Sequence, residues 1–156
     1  MQKTLKSFLG VTLLEIMLVL AIAAMIVVMS IRYYQSATTS QQANAVIETV
    51  QAITAAMDNL SQGSGGYGSV SQAQLTGVVG TTNMIVPGGG GGSYSLQGQS
   101  ATSYSIQITG MTSGVCYTVA ARIGPNMGSH FTAPASVSCG NAGPNNSVTY
   151  TYNSTL

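Results

Sequence analysis

Residues able to do acid–base, metal or thiol chemistry are few: Glu15, Glu48, Asp58, His130, Cys116 and Cys139. There is one histidine, and Glu48 and Asp58 stand ten positions apart, so no general acid/base pair or nucleophile–base triad can be assembled. The chain is therefore not expected to be an enzyme. Two cysteines and His130 lack the short paired spacing of a zinc site. A Cys116–Cys139 disulfide in an oxidising compartment is the better expectation, closing a loop worth roughly 3 kcal/mol in the chain-entropy picture. Residues 60–156 contain no carboxylate for calcium, and the glycines at 88–92 lack the Lys and Ser/Thr of a phosphate loop. That run reads as a surface loop, His130 as a surface or turn residue, and no cofactor is expected. Glu15 is the exception, because its surroundings make it chemically costly.

The element that positions Glu15 is an apolar run. Residues 11–31 contain no other charge, and Lys3 and Lys6 precede them. As a helix this run would span about 31 Å, close to the hydrocarbon thickness of a bilayer. A charge at the centre of a spanning helix costs on the order of 2.5–3.5 kcal/mol and less near an end, so an acid there usually has a partner. The lysines before the run and the lone Arg32 after it mildly favour a cytoplasmic N-terminus, with the remainder extracytoplasmic. Three other readings stay open. One is a secretory signal cut at Ala21-Ile22-Ala23, another a plain single-span anchor that tolerates Glu15, and the third a buried helix of a soluble core.

Charged residues are only 4% of the 156-residue chain. Beyond residue 10, Arg32 and Arg122 stand against Glu15, Glu48 and Asp58, or 2 − 3 = −1. No basic patch is available for phosphates, and nucleic acid is not an expected partner. The uncharged polar surface suits a subunit that packs against copies of itself. The three Asn-X-Ser/Thr matches, at Asn59, Asn145 and Asn153, are what a polar composition generates by chance.

Apolar residues recur at Ala43, Val46, Val50, Ile53, Met57 and Leu60, a helical stripe meant for burial. No proline interrupts residues 11–60, and Gly63, Gly65 and Gly66 supply a stop. A single helix of about 50 residues would be ~75 Å long. The alternative is a span joined to a separate helix by a break at residues 36–40. Ser69 or Ser71 is expected to cap a short helix through Leu75, with residues 76–86 irregular. From Ser93 the period becomes two, and four strands are expected. They centre on Tyr94 and Leu96, on Tyr104 to Ile108, on Val115 to Ala121 and on Val148 to Tyr152, with residues 110–114 as a hairpin turn. The expected class is α+β: a long N-terminal helix, its first half membrane-spanning, packed on a C-terminal antiparallel sheet.

The N-terminal pattern, a short basic leader ending in Gly10, then aliphatic Val11 and Glu15 five positions into the new chain, resembles the class III signal of type IV prepilins. The resemblance implies cleavage between Gly10 and Val11 by prepilin peptidase, and N-methylation of Val11. It also implies that Glu15 pairs with the N-terminal amine of an adjoining subunit. A pair within one helix is geometrically available too, since the amine and Glu15 are spaced i to i+4. The implied divisions are a leader at 1–10, a transmembrane and filament-core helix half at 11–35, and a globular pilin head at 36–156. Within that head would lie the amphipathic half at 36–60, an αβ-loop at 61–92 and a sheet with a disulfide region at 93–156. The Cys116–Cys139 segment resembles the disulfide-bounded C-terminal region of pilins, whose last strand would lie inside the sheet. Val11, Asn83-Met84-Ile85-Val86-Pro87 and Gly114-Val115-Cys116-Tyr117 are more similar to type IVb pilins, including those of thin conjugative pili.

By this resemblance the chain is expected to be the major subunit of a type IV pilus, serving adhesion, aggregation or conjugative contact. It would sit in the inner membrane before assembly and in an extracellular filament afterwards. The implied partners are other copies of itself, prepilin peptidase, the inner-membrane assembly platform and the membrane. A minor pilin or a type II secretion pseudopilin is the alternative within the class, and a single-span extracytoplasmic binding protein the alternative outside it.

Overall fold

The structure, a computed structural model, describes residues 13–88 and 90–155. Gly10, Val11 and the whole of the leader expected at 1–10 lie outside the described residues. The chain divides into two compact units, one ending at Thr38 and one beginning at Thr39.

Helix α1 (Leu13–Ser64) is unbroken through residues 36–40. Within the helix, Ser and Thr side chains return their protons to backbone carbonyls rather than competing with the ladder. Ser30 donates to the Ile26 carbonyl at 2.8 Å, and Thr38 to that of Gln35 at 3.0 Å. The stop falls where the glycines place it. Gly65 adopts φ 78°, and the Gly66 N–H reaches back to the Ser61 carbonyl at 3.0 Å, a Schellman closure.

In the second unit the α1 stripe is buried as its spacing requires: Ala43, Val46, Val50, Ile53 and Met57 are fully enclosed. Helix α2 (Gln72–Val79) begins with a capping box, in which Gln74 N–H donates to Ser71 Oγ and Ser71 N–H to Gln74 Oε1. It runs one turn beyond Leu75, where irregular chain was expected. A four-stranded antiparallel sheet follows, ordered β1-β2-β4-β3, with β1 Tyr94–Gln99, β2 Ser103–Met111, β3 Ser136–Ser138 and β4 Asn146–Asn153. Across β2 and β4, Tyr104 faces Tyr152, Ile106 faces Tyr150 and Ile108 faces Val148. Those six side chains are buried and share one core with the α1 stripe. The last strand lies inside the sheet, between β2 and β3.

One expected strand is a helix. Residues 113–122 form α3 (Ser113–Arg122), and residues 110–114 are not a hairpin turn. A strand would bury Val115, Tyr117 and Val119 together. Instead Val115, Cys116 and Val119 are buried while Tyr117 is 59% exposed, which is helical spacing. The vacant place in the sheet is taken by β3, which the alternation did not reveal. The glycine run is likewise not wholly a surface loop: Gly92 is buried against Thr109 and Gly110, where a Cβ would overlap the Thr109 carbonyl oxygen.

Candidate functional site

Among its described residues, the first unit presents a continuous exposed apolar surface. Every residue from Leu13 to Ser36 is exposed, and an 18-residue window of this helix reaches a mean hydropathy of 2.7. From residue 16 to residue 31 there is no charge. The one hydroxyl in that stretch, Ser30, is already satisfied by the Ile26 carbonyl. Glu15, in the first described turn, is therefore the one side chain between residues 13 and 31 that would need a polar partner from elsewhere once this surface leaves water. Length and composition suit a membrane span: 19 residues rise about 29 Å.

The other candidate residues are not brought together. Glu48 is exposed on α1. Asp58, half-buried, accepts a hydrogen bond from the Tyr67 hydroxyl at 2.6 Å. His130 is half-buried in a turn, its Nδ1 3.2 Å from the Asn153 carbonyl and its ring 5.6 Å from that of Tyr152. Arg122, at the end of α3, donates to Asn44 Oδ1. Cys116 and Cys139 form a disulfide with Cα atoms 5.5 Å apart, tying α3 to the loop before β4. Among the described residues, no three His, Cys, Asp or Glu side chains approach as a metal site would require.

A cluster of tyrosines was not anticipated as a unit. Tyr67, Tyr104 and Tyr152 have ring centroids 5.1–6.0 Å apart, with Phe131 against Tyr152 at 5.3 Å. Period-two spacing marked Tyr104 and Tyr152 as inward-facing, but nothing in the glycine-rich segment around Tyr67 signalled that it folds back onto them. The hydroxyls of Tyr94, Tyr104 and Tyr150 are buried without a hydrogen-bond partner. Thr49 and Thr54 lie beside Tyr94 and Tyr104 and give their own protons to the Ala45 and Val50 carbonyls. Burial pushes the Tyr94 phenol up to about 12, and raises Tyr104 and Tyr150 as well. Tyr67 is raised by burial first and then by its bond to Asp58.

Comparison with family models, with curated proteins and with solved structures returned no match. The fold and the apolar surface define an α+β protein with one N-terminal helix long and apolar enough to cross a membrane, and a disulfide-bonded head.

Proposed function

We propose that this chain is a structural subunit of a type IV pilus, of the type IVb kind. One observation carries the reading: a lone carboxylate, Glu15, stands at the head of an exposed, uncharged apolar run. That run continues in the same helix into a head whose own core is closed without it. A membrane anchor accounts for the run but gives the acid no role. A subunit cut after Gly10 gives it one, because the new amine of Val11, N-methylated, is a charge that must be matched on leaving water. Glu15 of one copy receives the amine of the next. Residues 11–60 then pass from lipid into a filament core, with prepilin peptidase and an inner-membrane assembly platform acting in turn. The charge-poor head, with Glu48, Asp58 and Arg122 its only acidic, lysine or arginine side chains beyond residue 38, presents copies to one another with little long-range repulsion.

Intact-mass measurement of the protein from its host membrane tests the first step. The expected mass is that of residues 11–156 plus one N-methyl group and less the two hydrogens lost to the Cys116–Cys139 disulfide, and an uncut chain ends the proposal in favour of a single-span surface protein. Glu15→Gln tests the second. Cleavage and membrane abundance should persist while incorporation into sheared surface filaments falls at least tenfold, the equivalent of about 1.4 kcal/mol.

A further inference from the structure

The apolar run ends abruptly, and the three residues that end it are of a kind found at a particular depth in bilayers. Arg32, Tyr33 and Tyr34 follow Ile31 directly, and Tyr33 and Tyr34 are 79% and 69% exposed, with no described residue of the first unit packed over them. Tyrosine rings carry an apolar body and a polar tip, and concentrate at the headgroup level where one end is dry and the other wet. Arginine there matches lipid phosphate bidentately while its methylenes stay in the apolar layer. The spacing to Glu15 is the second observation. Tyr33 lies 18 residues beyond it, about 27 Å along an α-helix and five turns on, so the two side chains share a face. That distance is nearly one hydrocarbon thickness.

We propose that Arg32, Tyr33 and Tyr34 are a lipid-headgroup collar that fixes the depth of α1 in the bilayer, holding Glu15 at the opposite interface. This rests on the reading of residues 13–31 as a membrane span. Held by the collar, the carboxylate sits within reach of water and headgroups rather than at the midplane. The acid is therefore tolerated in lipid before it finds a protein partner, and the 32–34 end sets the height from which the helix must later be drawn out.

The chain contains no tryptophan, so single reporters are unambiguous. Full-length Ile22→Trp and Val28→Trp are reconstituted in phosphatidylcholine vesicles whose acyl chains carry bromine at defined depths. The Trp at 22 should be quenched best by bromines near the chain ends, and the Trp at 28 by bromines nearer the headgroups. Adding Arg32→Leu, Tyr33→Leu and Tyr34→Leu lengthens the apolar run by three residues and frees the helix to slide. The reporter at 28 should then move deeper by about 4 Å. An unchanged depth at 28 overturns the collar while leaving the span intact. If bromolipid quenches neither reporter and aqueous acrylamide quenches both, the span and the collar fail together.

Discussion

A phenolic oxygen is satisfied at one site in this core and stranded at three others, and the difference decides what each is worth. Tyr67 donates to the Asp58 carboxylate at 2.6 Å. Tyr67→Phe leaves that half-buried acid without its donor and should cost about 1–2 kcal/mol, read as a lower urea midpoint of the detergent-solubilised chain. Tyr150→Phe removes a buried hydroxyl that has no partner, and should range from neutral to about 1 kcal/mol stabilising in the same assay. The same burial sets an alkaline limit. An unfolded tyrosine loses its proton near pH 10, whereas folded Tyr94 keeps it to about 12. The unfolded chain thus binds fewer protons above pH 10, so stability is intact below that value and is lost as pH rises through 12. The phenolates of buried Tyr94, Tyr104 and Tyr150 should appear together with loss of circular dichroism, and ionisation of all eight tyrosines with the fold intact would contradict it.

Elements show where composition speaks and where it is silent. The stripe from Ala43 to Met57 was legible because one face had to be apolar to be buried, and burial follows it residue for residue. Tyr104 to Ile108 and Val148 to Tyr152 were legible for the same reason at a period of two. Residues 115–121 misled because four apolar side chains at alternate positions fit a strand, while exposed Tyr117 and Ala121 show that two of them were never destined for the core. β3 is Ser-Val-Ser, all exposed, and no pattern in three such residues announces a strand. Glu15 stands out in the sequence by its incongruity, a lone acid in an apolar run.

Nor does sequence reveal how the sheet's margin is protected. The Gln72 side-chain amide accepts from Leu96 N–H at 2.7 Å and donates to the Tyr94 carbonyl at 3.2 Å, occupying the open edge of β1 as another strand's peptide would. Gln72→Ala should cost about 1–2 kcal/mol and expose that edge, with thioflavin-positive aggregates appearing at concentrations where the parent stays dispersed.

At the scale of the molecule, the head depends on a covalent tie and on a surface nearly free of charge. The Cys116–Cys139 bridge spans 23 residues of sequence, and its loss through Cys116→Ser with Cys139→Ser should lower stability by about 3 kcal/mol, seen as a fall in melting temperature that reductant reproduces in the parent. The scarcity of cations has a consequence outside the cell. Beyond the proposed leader, an enzyme that cuts after lysine or arginine finds only Arg32, inside an unbroken helix, and Arg122, held to Asn44 at the end of α3. A fibre built from such subunits would offer trypsin-like digestive proteases scarcely a foothold, so the residues omitted from its surface would bear on how long it lasts.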